Sequence, residues 1–324
     1  MTLKLGFIGT GGIANAHLDN LTKIDGIELT AFYDLDLARA QKAADVHGGA
    51  KAFSNLDEML DGTKLDGVYV CVPPMAHGDA ENKLVERGIP FLVEKPLGID
   101  RELPRSIGAK VKASNLLTSV GYHWRYNESA TLAKRLLENS KAGMALGYWM
   151  GGMPMVPWWR VQQGSGGQFV EQTTHIVDLL RYLCGEVSEV YAAYALQVMG
   201  DKVEGTDVPD VGTVTLKLAN GMVATISNTC LLPAGHHVGL DIYTESGILE
   251  LRGDALNEIT SAGRSIHPNV ANPYFVEDEA FVHALRTGDR SRILSDYEDS
   301  LRTHEITIAA NESAVSGQPV RLSE

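Results

Sequence analysis

Cysteine is scarce. The 324-residue chain has three, Cys71, Cys184 and Cys230, widely separated, with no Cys-x-x-Cys pair and no Cys/His metal spacing. An odd, scattered set excludes a disulfide framework, gives no support to a zinc site, and fits a reducing compartment. Basic residues are also in deficit, 28 Lys and Arg against 41 Asp and Glu, for a formal net charge of -13. Nucleic-acid and anionic-membrane surfaces need clustered cations, so neither is a leading function. No run of about 18 apolar residues occurs, which argues against a transmembrane helix. The opening stretch, MTLKLGFIGTGG, enters a strand pattern and a glycine turn with no basic leader, so a cytoplasmic location is expected. Internal repeats and low-complexity tracts are absent too.

What is present is ordinary globular composition, 44% hydrophobic and 21% charged, in a chain long enough for two cores. Apolar runs at 3–9, 27–33, 66–72, 90–94 and 116–122 alternate with amphipathic stretches. Strand and helix in strict succession predict a doubly wound α/β domain with a parallel sheet over residues 1–122. The pattern then changes. Val, Thr, Leu and Ile recur with period two over 211–230 around Asn220-Gly221, and again over 239–253 around Ser246-Gly247. Consecutive hairpins predict an α+β domain with an open, mainly antiparallel sheet over residues 123–324, closed by helices near 275–287 and 298–316.

The first strand runs into Gly9-x-Gly11-x-x-Ala14, with Gly12 and Ile13 completing the turn. In a dinucleotide-binding turn the first glycine permits the bend, the second admits the pyrophosphate, and the small third residue lets the helix pack closely. A plain strand-to-helix turn has the same spacing. Asp34 ends the second apolar run, where a carboxylate can accept both ribose hydroxyls of an adenosine or cap the following helix. Leu35, Asp36 and Leu37 follow, and the first basic residue is Arg39. A 2′-phosphate is therefore expected to meet carboxylates, which favours NAD over NADP.

The fifth apolar run ends on Glu94-Lys95-Pro96, two charges and a proline where desolvation is costly unless a ligand supplies partners. With the glycine turn, CVPPMAHGDA after the fourth strand and VEKP after the fifth, the whole chain resembles the glucose-fructose oxidoreductase, inositol dehydrogenase and rhizopine catabolism (Gfo/Idh/MocA) family. The resemblance implies a Rossmann domain followed by an open-sheet domain that often forms the subunit interface, so a homodimer or homotetramer is expected. It assigns Lys95 to the active site between nicotinamide and substrate, and Glu94 to the nicotinamide ribose. Cys71, Pro73 and His77 fall on the nicotinamide side, although His77 can equally cap the next helix.

In the second half, GSGGQFVEQTTHIVDLLRYLCGE resembles the family's helix bearing Asp-x-x-x-His-x-x-Asp, with Glu171 in place of the first Asp and with His175 and Asp178 following. Spacings of four and three predict that all three share one helix face. His175 is expected to act as general acid/base, its imidazole kept neutral by a nearby lysine; a buried structural histidine is the alternative. The added methylene of Glu171 leaves open which substrate hydroxyl it meets. Tyr122, Trp124, Trp158 and Trp159 can face a sugar ring or simply pack, while His123, Arg125 and Arg160 can bind hydroxyls, an acid group or the cofactor amide. His236 and His237, adjacent on a strand, point to opposite faces and predict no shared metal.

The expected activity is NAD-dependent hydride transfer to or from a secondary hydroxyl or carbonyl of a sugar, inositol or related cyclic polyol, with no metal. A dihydrodiol dehydrogenase, an NAD-dependent glycosidase of the same fold and a non-catalytic nucleotide-responsive regulator are the alternatives.

Overall fold

The computed structural model describes residues 2–322, which form two compact units. The first contains residues up to Gly98, with Glu102–His123 and Asn272–Leu301. Its six strands are β1 (Leu3–Ile8), β2 (Ile27–Tyr33), β3 (Lys51–Phe53), β4 (Gly67–Val70), β5 (Phe91–Val93) and β6 (Thr118–Val120), ordered β3-β2-β1-β4-β5-β6 and all parallel. That is the doubly wound order, whose strand order reverses beside β1, where dinucleotides bind at the carboxyl ends. The near-continuous apolar runs of β1, β4 and β5 reflect burial on both faces.

A single boundary near residue 122 leaves out Asn272–Leu301, which folds with this first unit. The reason is packing: helix Pro273–Thr287 buries Phe281, Val282 and Ala284 in one cluster with Leu5, Phe7, Leu18 and Tyr69. Phe281 lies edge-on to Tyr69 with ring centroids 5.6 Å apart. Full burial of such an aromatic contributes about 1.5–3 kcal/mol, one of several burials that together hold the segment there.

The second unit contains Ile99–Arg101, Trp124–Ala271 and the chain from Arg302 onward. Its nine strands are β7 (Ala142–Met150), β8 (Val187–Ala195), β9 (Val211–Leu218), β10 (Val223–Thr229), β11 (Val238–Thr244), β12 (Gly247–Arg252), β13 (Ala255–Thr260), β14 (Gly263–Pro268) and β15 (Val320–Arg321). The order is β14-β13-β12-β11-β7-β10-β9-β8-β15, antiparallel except for the parallel pair β7 and β10. The Asn220-Gly221 hairpin pairs Val223 with Lys217, and Gly221 takes φ +89° as its turn requires. The second turn falls one residue earlier than expected, at Glu245-Ser246, because Gly247 already pairs with Thr244. Helix Thr174–Cys184 packs its Ile176, Val177, Leu179 and Leu180 into the sheet's core. At Gly147 of β7 a Cβ would stand 2.7 Å from Ile176, so glycine there lets the helix sit close. No helix among the described residues is long and apolar enough to cross a membrane.

Candidate functional site

Gly9, Asp34, Cys71, Glu94 and Gly121 each follow directly on a strand of the parallel sheet, so one sheet edge collects the residues read from five separate runs. Gly9 has φ +86°, and a Cβ on it would lie 2.3 Å from the Cys71 carbonyl oxygen; nothing larger fits. Gly12 opens the helix Gly12–Leu21, and a Cβ there would meet nothing within 4 Å. Gly11 before it offers no side-chain cap to the first-turn amides. Open space before uncapped amides is what a pyrophosphate needs, so these residues fit a dinucleotide. Ile13 turns aside and packs against the core beneath.

Asp34 is nearly buried, and its Oδ2 accepts bonds from the Thr10 amide (3.0 Å) and hydroxyl (2.8 Å), its Oδ1 one from the Asp36 amide (3.1 Å). Burial alone would raise its pKa; the bonds from Asp36 and Thr10 and the Arg39 charge outweigh it and hold the carboxyl below its usual range. It does not cap the next helix, because Asp36 does so through Ala38. The Arg39 guanidinium lies 3.7 Å from Asp34 Oδ2. A 2′-phosphate in this corner would still meet the Asp34 carboxylate, to which Arg39 is already paired, although Arg39 stands closer than chain order alone suggests. A helix turn carries Arg39 back over Asp34, which linear spacing does not reveal.

Cys71 is buried, and burial together with the Glu94 and Asp278 charges pushes its thiol well above the usual pKa. Pro73 leads into the turn Pro74–Ala76, and His77 ends it. His77 Nδ1 lies 2.5 Å from Glu81 Oε1, while Glu81 Oε2 accepts the Gly78 amide at 2.6 Å. His77 thus helps hold the start of the next helix, and its buried Nε2 has no hydrogen-bond partner among the described residues.

Glu94 is 3% exposed, and its Oε2 accepts the backbone N–H of Lys95 at 3.1 Å. Its Oε1 lies 3.1 Å from His17 Nε2, and His17 Nδ1 lies 2.7 Å from Asp278 Oδ1. Asn20 donates to the other Asp278 oxygen at 3.0 Å. The Glu94 carboxylate expected at the ribose is thus committed within the protein. Although burial favours its neutral form, the His17 bond and charge and the Lys95 charge keep it below the usual carboxylate range. The Lys95-Pro96 peptide is cis. No local sequence pattern joins His17 to Asp278; the one signal the chain offers is a histidine on the apolar stripe Ala14, Leu18 and Leu21. Tyr122, a candidate for the substrate, is fully buried in this unit's core instead. His123 stacks on Tyr274 at 3.8 Å, and burial, opposed by Glu94 but aided by Lys95 and His17, pushes its pKa down to about 3.

In the second unit the single helix expected for Glu171, His175 and Asp178 is broken in two. Helix Gln168–Glu171 ends, and a new helix starts at Thr174. The Thr173 amide bonds back to Gln168 O, five residues away, and Ile176 reaches only to Thr173, so the ladder is interrupted and Glu171 ends one helix while His175 and Asp178 belong to the next. Glu171 Oε2 accepts the Trp159 indole N–H at 2.7 Å. Trp159 is itself nearly buried beside Met153, Val203, Val208 and Cys230, and Trp158 packs against that cluster. Neither Trp159 nor Trp124, a core residue, presents a wide open face.

His175 is 4% exposed and stacks on Trp149, centroids 5.8 Å apart and planes 20° apart. One turn on, Asp178 accepts both arms of Arg125, Nε to Oδ2 at 2.7 Å and Nη2 to Oδ1 at 2.6 Å, and the Thr303 hydroxyl at 2.8 Å. Arg125 is 2% exposed, so its guanidinium anchors this helix and is committed to Asp178, unlike the substrate contact expected of it. Arg160 keeps a half-exposed guanidinium whose Nη2 makes a 3.4 Å bond to Met155 O. Among the described residues no group of three or more His, Cys, Asp or Glu is placed to hold a metal ion.

The family models agree with this architecture. "Oxidoreductase family, NAD-binding Rossmann fold" matches residues 3–122, and "GFO/IDH/MocA C-terminal domain" matches 134–250. The scyllo-inositol 2-dehydrogenase (NAD(+)) of Bacillus subtilis is 24% identical, the match covering 99% of this chain and 96% of that one. Among solved structures, a myo-inositol dehydrogenase from Corynebacterium glutamicum superposes with TM-score 0.82 at 25% identity over the full length of both chains. The WlbA dehydrogenase from Bordetella pertussis, in complex with NADH and UDP-GlcNAcA, superposes with TM-score 0.84 at 22% identity, also over both full lengths. From its glycine turn to its open sheet, the chain belongs to the Gfo/Idh/MocA family of NAD-binding oxidoreductases.

Proposed function

We propose that this oxidoreductase interconverts a secondary hydroxyl and a carbonyl on an inositol, sugar or related cyclic polyol, with NAD preferred to NADP. The observation that carries the reading is Lys95, its backbone held by a buried carboxylate at the carboxyl edge of a dinucleotide-type sheet. The inositol dehydrogenases among the relatives support the polyol class.

In this reading Gly9, Gly11, Gly12, the backbone of Ile13 and Asp34 hold the adenosine and pyrophosphate, with Cys71, Pro73, His77, Glu94 and Lys95 on the nicotinamide side. NAD supplies the hydride acceptor. His175 takes the proton from the substrate hydroxyl oxygen, and the Lys95 ammonium stabilises the negative charge left on that oxygen. Glu171, oriented by Trp159, binds a neighbouring hydroxyl, and Arg160 binds cofactor or substrate. The outward face of the nine-stranded sheet, with Met144 and Val223 exposed side by side and Tyr191 nearby, supports assembly into a dimer or tetramer. A monodisperse monomer at micromolar concentration in light scattering would rule that assembly out.

The test is NADH formation from NAD over a panel of inositols, aldoses, sugar acids and dihydrodiols, with NADP in parallel. Turnover of a cyclic polyol supports the reading. NAD binding without turnover of any member, or turnover of dihydrodiols alone, overturns it.

A further inference from the structure

We infer that His17 is a positioning residue for Lys95: bonded to Asp278 on one side and Glu94 on the other, it fixes the carboxylate that holds the Lys95 backbone. The inference rests on the reading of Lys95 as the residue that steadies the substrate oxygen.

The geometry constrains the imidazole. Each ring nitrogen faces a carboxylate oxygen, at 2.7 and 3.1 Å, and an ionised carboxylate only accepts. A neutral ring would put a bare lone pair against one of the two anions. With both nitrogens protonated, one cation joins two anions and every contact is satisfied. Ring and partners are almost wholly buried, so no water competes for them. Around the ring stand Tyr274 and Asp278 of helix Pro273–Thr287, Tyr69 of β4, Glu94 after β5 and His123 after β6, with Cys71 acting on Glu94 and Asp278 and Lys95 on Glu94. Asp278 and Glu94 bond the ring, and although burial opposes the charge they raise its pKa to about 10.

The far side of Glu94 is closed as well. A Cβ on Gly121 would stand 2.6 Å from Glu94 Oε1, so glycine there is what leaves room for the carboxylate to lie against His17. A residue near the chain's other end, Asp278, thereby sets where the backbone of Lys95 lies. This is a function for the Asn272–Leu301 segment beyond covering the sheet.

The experiment uses the whole protein with isotope-labelled histidine and lysine, resonances being assigned with His17→Gln and Lys95→Arg. In wild type at about pH 8, where a free imidazole is neutral, NMR is expected to show both His17 nitrogens protonated. Asp278→Asn should lower the His17 pKa from about 10 toward the ordinary 6.5. Gly121→Ala, which changes no charge, should move the Lys95 amide resonance, and so should Asp278→Asn. With a polyol that wild type oxidises, Asp278→Asn should add a loss of kcat as pH rises through the lowered His17 pKa, a limb that a purely structural role would not create. A singly protonated His17 in wild type, or a Lys95 amide unmoved in both variants, overturns the inference. Undiminished turnover by Lys95→Ala overturns instead the reading on which it rests, and the NMR arms still decide what His17 does.

Discussion

Two buried ionic clusters, one in each unit, hold the residues that matter, and they differ in the nature of the cation. In the first, His17 lies between Glu94 and Asp278; in the second, Arg125 grips Asp178, with Arg181 Nη1 3.9 Å away. Arginine keeps its proton at any working pH, whereas imidazole can release one. The second cluster is therefore a fixed anchor for the helix bearing His175. The first is a cluster whose charge can change, and it lies one bond from the Lys95 backbone. Burial alone does not tell a scaffold from a working part; the chemistry of the cation does.

The largest effect should come from breaking the fixed cluster. Asp178→Asn strands a buried guanidinium, and losses of that kind cost about 3–5 kcal/mol. Thermal or urea unfolding is expected to show it, with the difference from wild type constant between about pH 6 and 10, since Arg125 does not titrate there. Asp278→Asn should cost less, about 1–3 kcal/mol near neutral pH, because His17 can shed its proton once a partner is lost. Here the sign with pH is definite. A His17 pKa raised to about 10 stabilises the fold fully below the unfolded value of 6.5 and loses that contribution as pH rises through 10. The gap between wild type and Asp278→Asn should therefore narrow as pH rises across that window. Parallel curves for the two variants would erase the distinction between the clusters.

Smaller effects test the edges of the site. Asp34→Ala removes the acceptor for Thr10 and Asp36 and leaves Arg39 without its counter-charge. Calorimetric titration should show NAD binding weakened about tenfold, or about 1.4 kcal/mol, with NADP weakened less or improved. Trp159→Phe takes one donor from Glu171, and a loss of about 1 kcal/mol should appear as a raised KM for the polyol with kcat little changed.

Much of this was legible in the sequence where neighbours in the chain are also neighbours in space. Gly9 and Asp34 stand at strand ends that periodicity locates, Gly11 lies in the turn after the first of them, and Glu94-Lys95 follow a strand directly, so spacing sufficed. The His17 cluster joins residues 77 and 261 positions apart, and no local pattern encodes such a meeting. The break before Thr174 was hidden for another reason: Gln172 and Thr173 carry no glycine or proline to punctuate it, and the helical spacing of Glu171, His175 and Asp178 runs straight across. Arg125 looked like a ligand because arginine near aromatics suggests one; its partner lies 53 residues on, on the helix it anchors. Arg39 was discounted by its distance along the chain, although one helix turn brings it to Asp34.

The most direct single measurement compares NADH production by wild type and Lys95→Ala on the polyol panel, with NAD affinity measured for both. The account predicts turnover of a cyclic polyol by wild type, a loss of about 10²–10³-fold in kcat for the variant, and nearly unchanged NAD binding. Equal turnover by the two proteins would contradict it.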